Sequence, residues 1–276
     1  LVYRRAKNVS SVEPFGSHLD IDKPPYEWLA HSIAAKHPEE ANPRVLVGAP
    51  ETSQPYSASV FNISAMSFGS LGAHAIEALS QGASLGGFYH DTGEGGVSRY
   101  HRQGGGDLVW ELGSGYFGCR AADGSFDAAK FADTASDPQI KMIEVKLSQG
   151  AKPGHGGVLP GEKVTHEIAD ERGIAVGQTC VSPPAHSSFS TPIEMLEFVE
   201  RLRELSGGKP VGIKFVVSFS GSRSGRPIFD PCRQHQYNWH TSLEVTVAVE
   251  VVEKVVEKVY DRNSPFYDLV FGLISQ

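Results

Sequence analysis

From residue 59 onward, runs of apolar residues alternate with amphipathic stretches, and glycine or small polar residues stand where the apolar runs stop. Residues 59–66 (SVFNISAM) predict a strand that ends at Ser67-Phe68-Gly69. Residues 71–85 predict a helix with Ile76 and Leu79 on one face, Ser70 as N-cap and Gly86-Gly87 as its stop. A short strand over 88–90 leads into Asp91-Thr92-Gly93-Glu94-Gly95-Gly96. Residues 141–147 (KMIEVKL) predict a buried strand, and residues 174–181 and 211–217 two more. Between these last two lies the best-signalled helix: Thr191 caps it, Pro192 takes its first position and Glu194 completes a capping box. Ile193, Leu196, Val199, Leu202 and Leu205 form its apolar face, and Gly207-Gly208 ends it. Strands alternating with helices are the signature of parallel β/α architecture, where ligands bind at the carboxyl ends of the strands.

The flanks differ. Residues 1–50 are polar, with prolines at 14, 24, 25, 38, 43 and 50, and predict an extended arm with one short helix at 27–35. Residues 51–217 carry the β/α grammar, and residues 218–276 form a divergent tail. Within that tail, residues 245–259 alternate valine at first and then take helical spacing, so a strand, a helix or neither is open.

Composition narrows the classes. The 276 residues suffice for one (β/α)₈ barrel of about 250 residues. A net charge of −7 without a basic run argues against a nucleic-acid partner. The three cysteines, Cys119, Cys180 and Cys232, are far apart and form no CxxC, which speaks against a disulfide framework, a zinc site or iron–sulfur ligands. His90, His101, His155 and His186 show no metal-ligand spacing, so no metal is expected. A cytoplasmic location is the expectation, with room for a membrane anchor upstream of residue 1, since the sequence opens without methionine.

Five clusters could carry chemistry: residues 65–69; residues 92–96; Lys146 with Gln149 and Lys152; residues 182–186; and Lys214. Small residues let backbone amides face a flat or anionic ligand. Lysines at strand ends neutralise a carboxylate or an electron-rich ring, and a glutamate among glycines accepts a hydrogen bond from an amine. Singly, each has a plainer reading: an ordinary turn, an ion-paired lysine, a structural His186, or Glu94 as a helix cap. Five together at predicted strand ends favour a site.

At these residues the chain resembles the FMN-binding domain of glutamate synthases, in particular the stand-alone glutamate synthase-like branch. The matching strings are ISAMSFGSL (63–71), HDTGEGG (90–96), GSGYFGCR (113–120), KMIEVKLSQGAKPGHGGVLPGEKV (141–164) and SPPAHS (182–187). The resemblance implies a (β/α)₈ TIM barrel of the FMN-dependent oxidoreductase type. It places Ala65, Met66, Ser67, Ser114, Gln149 and Lys214 at the FMN, Gly93, Gly95 and Lys152 at the substrate, and Glu94 and Lys146 as catalytic residues. The reaction it implies is reductive amination of 2-oxoglutarate through 2-iminoglutarate to L-glutamate, with hydride from reduced FMN. Ammonia and electrons, the latter from ferredoxin or an NADPH-linked donor, then come from other components.

The chain also departs from the family. Val158 stands where the large glutamate synthases have a keto-acid-binding Gln, which opens an alternative: an N-substituted glutamate made from an amine. After Phe215 the family pattern stops and no GGTG-type phosphate loop follows, so the barrel is expected to be incomplete on its C-terminal side. A non-catalytic barrel fragment with an exposed sheet edge is the remaining alternative.

Overall fold

The computed structural model describes residues 43–48, 52–147, 156–218 and 242–248, with a few isolated positions before residue 43. The chain divides into two compact units, Leu1–Asn42 and Pro43–Gln276. In the first, Ile33 and Ala34 form a turn, and the rest of the helix expected at 27–35 lies outside the described residues.

The second unit opens with an antiparallel pair, β1 (Arg44–Val47) and β2 (Tyr56–Ser59). Its main sheet runs β3 (Tyr89–Asp91), β4 (Asp107–Leu112), β5 (Ile140–Lys146), β8 (Val211–Ser218) and β9 (Ser242–Ala248), in that spatial order. The first four strands are parallel, joined by crossovers that contain α1 (Ala73–Gly86, ahead of β3), α2 (Arg99–Gln103), α3 (Ala128–Ala135), α4 (His166–Arg172) and α5 (Pro192–Leu205). This is an α/β fold with a parallel sheet. Strand β9 pairs antiparallel with β8, from Gly212↔Ala248 to Ser218↔Ser242. The alternating start of the valine-rich tail is therefore a strand, and the rest of the tail lies outside the described residues. A (β/α)₈ barrel contains only parallel neighbours. Among the described residues the sheet is open, and no closed barrel forms.

Alternation along the strands separates two faces. Leu108, Trp110, Leu112, Ile143, Val145, Val211 and Ile213 point to the helices and pack with Phe131, Met195, Phe198, Val199 and Leu202. Trp110 stacks on Phe131 with ring centroids 5.1 Å apart. A second cluster gathers Phe68, Ile76, Phe117, Leu159 and Ile168. Helix α5 has the expected caps: Thr191 accepts from Glu194 N and Glu194 reaches back to the N-cap. Thr191→Ala should cost about 1 kcal/mol, seen as a lower urea midpoint with unchanged slope. Its buried face is shifted from the expectation, since Met195 and Phe198 face the core while Ile193 is 50% exposed.

Three other elements differ from the pattern-based expectation. The run 59–66 is no regular strand: only Ile63 bridges His90, in parallel, because the Asn62 amide takes up the neighbouring backbone groups Tyr89 N and Ser59 O. The chain still follows the β3 edge, with Met66 N donating to Asp91 O at 3.2 Å. Ser70 does not cap α1. A turn closed by Leu71 N to Ser67 O delays the helix, Gly72 is the N-cap, and the Ser70 hydroxyl meets Ser67 Oγ. Finally, residues 174–181 are mostly turn, because Gly173 and Gly177 take left-handed φ values of 60° and 71°. Only β7 (Cys180–Val181) is extended, paired antiparallel with β6 (Val158–Leu159) outside the main sheet. None of the described helices is long and apolar enough to cross a membrane.

Candidate functional site

The face of the sheet away from the helices is charged and yet buried. Register places Glu111 beside Glu144, and Lys146 beside Lys214 one rung nearer the carboxyl ends. The Lys214 Nζ lies 2.5 Å from Glu111 Oε2 and 4.0 Å from Glu144 Oε2. The Lys146 Nζ lies 3.6 Å from Glu111 Oε1 and 3.3 Å from Glu94 Oε2. Asp91, on the same face of β3, completes a trio with Glu111 and Glu144 whose carboxylate oxygens lie within 4.8 Å of one another. All three are under 5% exposed, so water screens little of this charge.

Burial is the largest influence on Asp91, and with Glu144 and Glu111 beside it lifts this carboxyl well above the usual range. Burial also raises Glu111, against the pull of Lys146 and Lys214. For Lys214, burial opposes the ammonium, but Glu111 and Asp91 outweigh it and hold the charge more firmly than in water. Three carboxylates facing two lysines are relieved by keeping a proton on Asp91, which is hydrogen-bonded to Glu144. A raised carboxyl stabilises the fold fully below its unfolded pKa of about 3.9, and that stabilisation is lost as pH rises through the folded value. Asp91→Asn keeps the acceptor for Gly93 N, which lies 2.9 Å from Oδ1. It should flatten the fall in stability between pH 5 and pH 8, read as urea midpoints at the two pH values.

The strand-end loops pack on this network. Met66 is anchored by His101, whose Nε2 donates to Met66 O at 2.9 Å while Nδ1 accepts from Ser98 N. Burial pushes His101 down to about 4, so the ring is neutral near pH 7. Ser98, not Glu94, caps α2. Gly93 and Gly95 bring the second loop against Ser67: a Cβ on Gly93 would lie 2.7 Å from Ser67 N. Glu94 packs over Gly113, where a Cβ would lie 2.8 Å from Glu94 Cβ. The next residue, Ser114, donates to Pro183 O at 2.5 Å. Ala65, Met66, Ser67, Gly93, Glu94, Gly95, Ser114, Lys146 and Lys214 thus belong to one contiguous region, while Gln149 and Lys152 lie outside the described residues.

The cluster at 182–186 follows β7, not a main-sheet strand, and docks from the side. His186 is buried, donates from Nε2 to Lys146 O at 2.8 Å and stacks on Phe189. Burial pushes it to about 4, and its role here is structural.

The chain pattern alone did not single out Asp91, Glu111, Glu144 or Arg172. The first three were signalled by charged residues in otherwise buried strands, as in DLVWEL and KMIEVKL, where Glu144 and Lys146 share a face at i, i+2. Arg172 gave no local signal. It ends α4, is 6% exposed, donates to Phe68 O and stands over the Phe117 ring. Its Nη2 also closes on Gly95, where a Cβ would lie 2.8 Å away.

The conserved region of glutamate synthase matches residues 32–223. The chain is similar to the glutamate synthase large subunit-like protein YerD of Bacillus subtilis, at 44% identity over 66% of this chain and 34% of that protein. It is also similar to an archaeal-type glutamate synthase [NADPH] of Thermotoga sp., at 35% identity over 55% of this chain and 28% of the relative. A ferredoxin-dependent glutamate synthase of Antithamnion sp. is 38% identical over 28% of this chain and 5% of the relative. The match to the first two relatives thus spans about a third of their length. A family match over most of the chain, with TGEGG, Lys146 and the 113–120 loop gathered at the carboxyl ends of parallel strands, places this chain in the glutamate synthase family.

Proposed function

We propose that this region is the flavin and substrate side of a glutamate synthase-like oxidoreductase, and that its parallel strands are the first part of a (β/α)₈ barrel. The observation that carries the reading is the ion-paired row Glu94–Lys146–Glu111–Lys214 at the carboxyl ends of β3, β4, β5 and β8. The donor set fits FMN. Two ammoniums side by side suit the electron-rich edge of a reduced flavin, and the closely packed 65–67 and 93–95 segments offer backbone at the small residues Ala65, Ser67, Gly93 and Gly95. Ala65, Met66, Ser67, Ser114 and Lys214 would hold the cofactor, with Gln149 from the following loop. When bound, FMN supplies hydride transfer.

The chain's own groups do the rest. Lys146 and Lys214 keep positive charge beside the reduced ring. Glu94, at the rim of the row, accepts a proton or hydrogen bond from the incoming amine. Gly93 and Gly95 border the 2-oxo acid, the Arg172 guanidinium behind Gly95 adds positive potential for its carboxylate, and the family resemblance assigns Lys152 to the same substrate. The product is L-glutamate from 2-oxoglutarate and ammonia, with electrons from a ferredoxin or NADPH-linked donor. Val158, 48% exposed on β6, stands where the resemblance places a keto-acid-binding Gln, and that substitution supports the alternative reading with an alkylamine in place of ammonia.

The test is an absorbance spectrum after incubation with FMN and desalting. Retained flavin bands are expected, and a folded but colourless protein overturns the proposal. With dithionite-reduced FMN, ammonia and methylamine are then compared on 2-oxoglutarate. Glutamate supports the first reading and N-methylglutamate the second.

A further inference from the structure

The two lysines of the row share one counter-ion. Glu111 is 1% exposed and sits one residue before the carboxyl end of β4. Its Oε1 faces Lys146 at 3.6 Å and its Oε2 faces Lys214 at 2.5 Å. The lysine side chains are 11% and 10% exposed, and Glu111 is in contact with both ammoniums. Glu94 also touches Lys146, at 3.3 Å, and Glu144 lies 4.0 Å from Lys214. Glu111 is fixed in turn: its backbone N donates to Thr92 Oγ1 at 3.1 Å, in the loop that also carries Gly93 and Glu94. The Asp91–Glu111–Glu144 trio is better described as this charge network than as a cation site, because two lysines already occupy it.

We infer that Glu111 is a positioning residue that clamps Lys146 and Lys214 side by side and sets how much of their charge reaches a ligand at the strand ends. It rests on the flavin reading only for what that ligand is. A carboxylate between two ammoniums offsets one of their charges. Without it, a bound electron-rich ring meets a stronger positive field, and its reduced state is favoured.

The experiment uses Glu111→Gln, which keeps shape and removes charge, in the full chain. Lysine reactivity toward acetic anhydride at pH 9 is followed residue by residue by mass spectrometry. Both Lys146 and Lys214 should be labelled at least tenfold faster than in the parent. Lys209, bonded to Ala135 O and Asp137 O away from Glu111, should not change and so reports on loosening. Glu111→Asp, which retains the charge one methylene further back, should give a smaller increase at both, and it carries the test if the Gln variant does not fold. Unchanged rates, a change at only one lysine, or an equal rise at Lys209 overturns the clamp. In protein that retains FMN, the Gln variant should also shift the flavin reduction potential to more positive values, and an unmoved potential overturns the charge-setting part. A parent protein that takes up no FMN defeats the flavin reading, while the labelling still decides the clamp.

Discussion

Lys214→Met should destabilise the protein by about 3–5 kcal/mol at pH 7, among the largest single-residue losses expected here. Methionine fills much of the same volume, so the loss is electrostatic. The Glu111 carboxylate, 1% exposed, would keep only the 3.6 Å contact to Lys146. Breaking a buried pair on one side leaves the other charge without compensation, which costs far more than the pair is worth. The pH dependence follows from the direction of the Glu111 shift. Its folded pKa is already raised by burial and would rise further without Lys214. A raised carboxyl stabilises the fold fully below its unfolded value of about 4.3 and loses that contribution as pH rises through the folded value. The defect should therefore be smaller at pH 5 than at pH 8. The double change Lys214→Met with Glu111→Gln should recover most of it. Urea midpoints for the four proteins of this cycle decide the matter. Equal losses at both pH values, or no recovery in the double variant, would show that packing and not charge carries the effect.

Gly93→Ala should cost about 2–4 kcal/mol and abolish ligand retention. Gly93 has φ +65°, and an added Cβ would lie 2.7 Å from Ser67 N and 3.0 Å from Ser67 Cβ. The backbone conformation disfavours any side chain by roughly 1–2 kcal/mol. The contact is with backbone, so it is relieved only by parting the 65–67 and 93–95 segments. Gly173 is the control: its φ is +60°, but nothing lies within 4 Å of an added Cβ. Gly173→Ala should show the conformational cost alone. If the two variants melt alike, the close approach of the two loops is not a structural requirement.

Much of the local structure was legible in the chain. The capping box of α5 and the glycine stop of α1 are short-range signals, satisfied by neighbours within four residues, so the pattern suffices. Strands β5 and β8 announce themselves because their helix-facing residues are uniformly apolar, whereas β4 (DLVWEL), set between two glycine-rich runs, is not among the strands the pattern predicts. Residues 59–66 and 174–181 have the same apolar character and are not regular strands. In the first, the Asn62 side chain competes for ladder hydrogen bonds. In the second, left-handed glycines turn the chain before a ladder can form. Neither event is visible in hydrophobicity.

The sequence by itself determined the α/β class and the motifs of the glutamate synthase family, because these depend on periodicity and on strings that stay contiguous. Only the tertiary structure decided that Asp91, Glu111 and Glu144 share one buried face with Lys146 and Lys214, and that Arg172 closes behind Gly95. Residues 103 positions apart, Glu111 and Lys214, become ion partners through strand register, and register is a property of the sheet and not of either strand alone.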